Sequence, residues 1–416
     1  MAPRSAGYYY TESQQNEFKD IAMTTYSIDT ADQGTVTYTD QKRWWWLLSL
    51  VNPLIPLFGI VGHWLTGSEL WLLVPLGMMF IMGPAFDWLF GEDENNPPEI
   101  LVPQLEEDTY YRWLTYLTVP AHYITFLAVA IWVGTHSLTW WGFIALTVAL
   151  GFADGFAINT GHELGHKRTK VETWLAKIVL AVPAYGHFWI EHNRGHHRDV
   201  ATPDDPASAR MGESIYQFAR REIPGAFHRA WMLEHERLCR KGVPVWSIHN
   251  EVLQSYMITV ALQVGLIATF GWIMLPFLLI HNFFSWWVLT SANYIEHYGL
   301  LRAQQADGKY ERCQPHHSWN ANHKYSNLLL FHLQRHSDHH ANPTRRYQSL
   351  RDFPDLPSLP SGYYGMYVIA YLPALWFKMM DSRLMALPHI QGDLSKVNIN
   401  PDSLAAIQAK YGHADA

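Results

Sequence analysis

Residues 140–166 read WWGFIALTVALGFADGFAINTGHELGH. Residues 140–158 are apolar apart from Thr147 and Asp154, close to the ~20 residues that carry a helix across a bilayer. A Trp pair opens the run, as interface belts require. The run passes into Asn159 and then His162, Glu163 and His166. On a helix His162 and His166 share a face. The stretch therefore predicts a spanning helix that delivers two imidazoles to one membrane surface.

Five further runs have the same character: residues 44–61, 70–90, 113–133, 252–270 and 272–294. Trp44, Trp45, Trp46, Trp113 and Trp272 crowd their ends. Asp87 and Asp154 lie inside runs, near their ends, where the ~2.5–3.5 kcal/mol cost of a charge at the bilayer centre falls. Six spans return the chain to its starting side. The connections 62–69 and 134–139 and the turn near Gly271 hold no Lys or Arg, so all 30 basic residues fall on the other side or at its boundary. The positive-inside rule makes that other side cytoplasmic.

The expected plan is an all-α integral membrane protein, with six transmembrane helices and a cytoplasmic cap carrying a His-rich site. Residues 1–40 read as a polar tail, mobile or loosely packed, without the pattern of a signal peptide. Residues 41–298 form the six-helix region, with a cytoplasmic insertion at 160–251, and residues 299–416 complete the cap. The apolar stretch 174–190 separates two His clusters and contains Lys177. It reads as a helix lying along or dipping into the cytoplasmic interface. Residues 363–380 read either as a similar amphipathic piece or as a packed helix of the cap.

Composition agrees. Trp, Tyr and Phe number 19, 22 and 19, and charged residues are 16% of the chain, against a typical ~25%. The net charge of −7 removes a general case for nucleic-acid binding. The two cysteines, Cys239 and Cys313, exclude a disulfide framework, a four-Cys iron site and a CxxC motif.

Histidine is the outlier at 23 residues. Four segments gather them: NTGHELGH at 159–166, EHNRGHH at 191–197, NYIEHYG at 293–299 and LQRHSDHH at 333–340. They supply His162, His166, His192, His196, His197, His297, His336, His339 and His340. Their spacings, i,i+4, then i,i+4,i+5, then i,i+3,i+4, group imidazoles within a turn of each other. One metal rarely takes more than six ligands, so nine imidazoles imply two metals. An open, all-His, paired site beside a membrane suggests iron and oxygen chemistry. The letters HELGH also match a zinc-peptidase pattern, but one zinc leaves the other clusters unexplained. A metal transporter would want its ligands near mid-membrane. His187, His316, His323 and His332 are reserve ligands by proximity only. Glu163, Glu296 and Asp338 are candidates to orient imidazoles through the remaining ring N–H.

These segments, with EHNRGHHRDVATPDDP at 191–206 and NYIEHYGLL at 293–301, closely resemble the integral-membrane alkane hydroxylases, the AlkB-type alkane 1-monooxygenases. The resemblance runs from about Gln41 to about Pro401, and NYIEHYG separates this family from the related fatty-acyl desaturases. It implies a non-haem di-iron enzyme that hydroxylates the terminal methyl of medium-chain n-alkanes with O2, two electrons and two protons. It implies electrons from a rubredoxin, itself reduced by an NADH-dependent rubredoxin reductase, and a place in the bacterial inner membrane. With no Cys quartet here, the carrier is expected on another polypeptide or another segment. Another apolar or acyl substrate, for a desaturase or a methyl-aromatic oxygenase, is the alternative. An alkane partitions into lipid, so an apolar channel from the bilayer is expected, with Leu76, Met79, Phe80 and Gly83 of the second span as a wall. An acidic carrier would find Lys167, Arg168, Arg194, Arg198 and Arg210 around the first boxes. Around the last it would find Arg335, Arg345, Arg346 and Arg351.

Overall fold

The computed structural model describes residues 24–32 and 34–412. The hairpin of β1 (Thr24–Thr30) and β2 (Gly34–Asp40) comes first. Then follow α1 (Arg43–Thr66), α2 (Glu69–Phe90), α3 (Thr109–Thr135) and α4 (Trp140–Gly165). The polar insertion carries α5 (Lys170–Ala181), α6 (residues 188–199) and α7 (Ile215–Arg240). Next are α8 (Glu251–Phe270) and α9 (Met274–His297). The last part holds α10 (Lys324–Leu329), α11 (His336–Ala341), α12 (Tyr363–Ala370) and α13 (Pro373–Met385). The helices α1–α4, α8 and α9 are long and apolar enough to cross a membrane. The chain is thus a mainly helical, multi-pass membrane protein.

The short connections after α1, α3 and α8 meet at one end. Thr139 donates its backbone N–H to Glu69 at 2.9 Å, Trp132 Nε1 donates to His63 Nδ1 at 3.3 Å, and a Cβ on Gly134 would meet the Phe270 ring at 2.5 Å. The helix α4 is the central post, packed on α3, α5 and α9. Gly155 lets α9 close in, since a Cβ there would lie 2.4 Å from Val288 Cβ.

Three expectations change and one alternative is decided. The described part of the tail is the ordered hairpin, in which Thr24 faces Asp40 and Thr30 faces Gly34; residues 1–23 lie outside the described residues. Thr, Tyr, Ile and Val alternate there, a period-2 pattern hidden by polar threonines. Tyr26 OH donates to Asp108 at 2.7 Å and Trp46 Nε1 to Asp40 at 3.2 Å, which ties the hairpin to α1 and α3.

Asp154 does not sit near a helix end. The helix α4 continues to Gly165, which puts Asp154 mid-helix and fully buried. His122 Nδ1 of α3 and His281 Nε2 of α9 meet its two oxygens at 2.8 and 2.9 Å. These two hydrogen bonds offset the cost of burying the carboxylate. Asp87, near the end of α2, accepts from the Ser326 N–H at 2.9 Å and so anchors α10.

The stretch 174–190 is not one surface helix. The helix α5 stops at Ala181, and twelve residues reach only about 18 Å, short of the ~30 Å hydrocarbon thickness. Its freed C-terminal carbonyls are taken up by neighbours: Tyr123 OH donates to Ile178 O at 2.7 Å and Thr259 Oγ1 to Ala181 O at 2.9 Å. It is therefore embedded among α3, α4 and α8. Residues 363–380 are packed helices of the cap: Tyr363, Met366, Tyr367, Trp376 and Met380 are buried in the largest apolar core.

Candidate metal centre

All nine expected histidines converge at the ends of α4 and α9, against α6 and α11. Eight are buried and His197 is half-buried. They form two groups. His162, His166, His192, His197 and His339 offer ring nitrogens within 4.8 Å of one another, and so do His196, His297, His336 and His340.

The division does not follow helical spacing. At 3.6 residues per turn, His192 and His197 would face about 140° apart. A π turn over His192–His196 widens α6 and brings their Nε2 atoms to 3.1 Å, sending His196 to the other group. Such turns recur at functional sites. In α11, His336 and His340 enter the second group and His339 the first. Both helices thus straddle the pair, and the rings of His197 and His340 lie 4.5 Å apart.

The Nε2 contacts are 3.0 Å for His162–His339, 3.2 Å for His339–His197, 3.2 Å for His336–His297 and 2.9 Å for His340–His336. Imidazoles bound at about 2.1 Å in adjacent positions of an octahedral ion stand about 3.0 Å apart. A neutral ring has one N–H, so nitrogens converging this closely cannot all be satisfied by one another. Lone pairs aimed at a common point suit a metal ion, and imidazole suits iron. Burial, reinforced by neighbouring imidazoles, pushes His166, His192, His197, His336, His339 and His340 well below the usual histidine range. They are neutral at pH 7, as ligands must be.

The three carboxylates chosen by proximity have different surroundings. Glu163 accepts from Lys167 Nζ at 3.0 Å and from the Tyr347 N–H at 3.3 Å, so it is engaged structurally and not free to act as the base of a peptidase. Asp338 accepts from Arg345 Nη1 at 3.0 Å and the Arg351 N–H at 2.9 Å; it braces the segment after α11. Glu296 alone approaches an imidazole, with Oε2 3.5 Å from His336 Nε2, and its Oε1 has no partner. The carboxylate that sequence proximity missed is Asp205, whose Oδ2 lies 2.9 Å from His196 Nδ1. It sits in a loop with no period linking it to the histidines.

Burial opposes charge on Asp205, but His196, Arg229 and Ser208 overcome it and hold the carboxyl well below the usual range. Arg229 of α7 bonds Asp205 at 2.7 Å and also Glu191. Gly195 makes room, since a Cβ there would lie 2.6 Å from Arg229 Nε.

The reserve histidines stay outside. His187 Nδ1 meets Tyr256 OH at 2.8 Å and His332 Nδ1 the Tyr347 carbonyl at 2.8 Å. His323 precedes α10 as its N-cap. Glu311, His316 and His317 form a third cluster. There His317 Nδ1 accepts the Gln314 N–H at 2.9 Å, which puts the ring proton on Nε2, facing Glu311 at 3.4 Å. An ion would need that nitrogen bare.

A narrow cavity of about 30 Å³ ends at His162, His192, His336 and Glu296, walled by Phe156, Val288 and Tyr367 among others. A wider apolar groove of about 680 Å³ lies alongside, lined by Phe80, Phe152, Phe284, Trp287 and Tyr371 among others. Phe152 and Phe156, Phe284 and Val288, and Tyr371 and Tyr367 are each one helical turn apart. Groove and cavity are therefore stacked along α4, α9 and the segment of α12. Of the expected wall, Phe80 lines the groove, while Met79 is buried in the core and Leu76 packs against it; a Cβ on Gly83 would meet Tyr364 at 2.9 Å.

The expected basic dock is largely spent inside the protein. Lys167 and Arg335 are buried; Arg335 pairs with Asp93, Arg345 and Arg351 with Glu99, and Arg346 with Glu172. Arg335 and Arg346 neutralise the buried carboxylates of Asp93 and Glu172, and Arg345 that of Asp338, while Glu99 is exposed. Arg194 pairs with Glu234 and Glu251, and Arg210 is half-buried. Arg168 and Arg198 remain exposed, the latter beside Asp199.

The fatty acid desaturase family profile matches residues 138–370. Over 92% of its length the chain is 54% identical to alkane 1-monooxygenase 1 of Alcanivorax borkumensis, covering 94% of that protein. It is 55% identical to the alkane 1-monooxygenase of Pseudomonas putida over 90% of the chain and 93% of that protein. The chain belongs to the alkane 1-monooxygenase family. It is an oxidoreductase of that monooxygenase class. The xylene/toluene monooxygenase hydroxylase component of Pseudomonas putida is more distant, 28% identical over 54% of this chain and 59% of that protein.

Proposed function

We propose that this monooxygenase converts n-alkanes to 1-alkanols, using O2 and two irons held by the nine histidines. The observation that carries the reading is the pair of abutting imidazole groups, members of both of which line a cavity walled mainly by apolar side chains. Bound iron supplies the activation of O2. The chain's own part is to seat the terminal methyl. Phe156, Val288 and Tyr367 leave room for a slender chain end, and the stacked groove takes the rest. A narrow, mainly apolar cavity restricts attack by positioning. The identity to alkane 1-monooxygenases, at 54–55%, favours alkanes over the aromatic substrate in the name of the distant relative. Iron-loaded enzyme given octane, O2 and a reductant should release 1-octanol; no alcohol from iron-replete protein refutes the reading.

The groove makes a prediction. Phe80→Ala should extend the range towards longer alkanes, raising the dodecane-to-octane product ratio on the order of 10-fold, since a methylene or two in an apolar pocket is worth this much. An unchanged ratio by gas chromatography removes Phe80 from the route.

The cap is proposed to face the cytoplasm of a bacterial inner membrane, because the three short opposite connections lack Lys and Arg. A rubredoxin, reduced by an NADH-dependent rubredoxin reductase, is proposed to deliver the electrons at the cap. His197, the half-buried imidazole, is the nearest edge to solvent. With Cys239 and Cys313 replaced by Ser, Cys at Thr135 should react with an impermeant maleimide on intact cells, and Cys at Lys309 should not. The opposite pattern inverts the topology.

A further inference from the structure

The two imidazole groups are held differently. In the second group, the Nδ1 atoms of His297, His336 and His340 have no partner. His196 is the exception: its Nδ1 faces Asp205 Oδ2 at 2.9 Å, and its Nε2 has no partner. A carboxylate can only accept, so the ring proton must sit on Nδ1, leaving the Nε2 lone pair for a metal. Among the described residues no carboxylate hydrogen-bonds an imidazole of the five-membered group.

Asp205 is itself fixed from every side. Ser208 Oγ donates to Oδ2 at 2.6 Å, the Ala207 N–H to Oδ1 at 3.2 Å and Arg229 Nη2 to Oδ1 at 2.7 Å. Arg229 also binds Glu191, one residue before the π turn. One guanidinium thus locks the start of the turn and the carboxylate behind its last imidazole.

We propose that Asp205 is a positioning residue that fixes the tautomer and raises the donor strength of His196, and so makes the two metal positions unequal. This rests on the two-iron reading above. A carboxylate behind a ligating imidazole strengthens the metal bond, and its loss typically lowers affinity 10–100-fold. The four-imidazole position feels this and the five-imidazole position does not.

The test uses the full chain in detergent, loaded with 57Fe, as wild type, Asp205→Asn and Ser208→Ala. The amide keeps the shape of Asp205 and lacks its charge; the alanine removes one hydrogen bond to Oδ2 and leaves the carboxylate. Iron release to a chelator and Mössbauer spectra are read beside circular dichroism. For Asp205→Asn, one iron of two should leave about 10–100-fold faster and one of two quadrupole doublets should shift. For Ser208→Ala the same iron should be affected, by less. If Asp205→Asn does not fold, Ser208→Ala decides alone. Two irons released at wild-type rates with unchanged doublets overturn the assignment. Wild-type protein that does not hold two irons overturns the two-iron reading itself, and the assignment with it.

Discussion

Replacing His336 with alanine is expected to empty one of two iron positions and abolish alkane hydroxylation. His336 belongs to the four-imidazole group, where its Nε2 lies 3.2 Å from that of His297 and 2.9 Å from that of His340. Three remaining imidazoles give a weakened site. The five-membered group can lose His166 and still present four, so His166→Ala should retain more iron than His336→Ala. Iron per chain and 1-octanol formation measure both. A His336→Ala protein with parental iron content and turnover removes this residue from the ligand set.

The second large effect is on stability. Asp154→Leu should lower the stability of the folded protein by about 2–6 kcal/mol, since it leaves two buried imidazoles without their hydrogen-bond partner at about 1–3 kcal/mol each. The substitution leaves the buried rings of His122 and His281 without the carboxylate they share. Three helices, α3, α4 and α9, share this contact. Replacing all three residues, as His122→Phe, Asp154→Leu and His281→Phe, should recover much of the loss, because replacing all the partners of a buried hydrogen bond by apolar groups of similar shape can be nearly neutral. Thermal unfolding in detergent reads both variants. A single Asp154→Leu protein as stable as the parent would show that the triad carries no such load.

The spans and the histidine boxes were legible because their signals are local. Apolar length, Trp at run ends and the i,i+4 recurrence of His162 and His166 depend on one helix at a time. The hairpin at Thr24–Asp40 was harder to see, because threonine satisfies both a β-branched and a polar reading. The burial of Arg335 and the internal pairing of Arg346 were not legible at all. A basic residue reads as surface until its carboxylates, here Asp93 and Glu172, are known to lie against it.

By itself the sequence determined six apolar crossings, their shared polar end and the nine imidazoles that gather there. Tertiary structure decided how those imidazoles divide. The π turn at His192–His196 sends neighbours in one box to different groups, and α11 does the same with His339 and His340. It also decided which carboxylate stands behind an imidazole: Asp205, from a loop, and not Glu163, from the box itself. The reason is physical. Hydrophobic length and helical period are properties of consecutive residues, whereas lone pairs converge on a point only after separate helices pack and their backbones bend to fit.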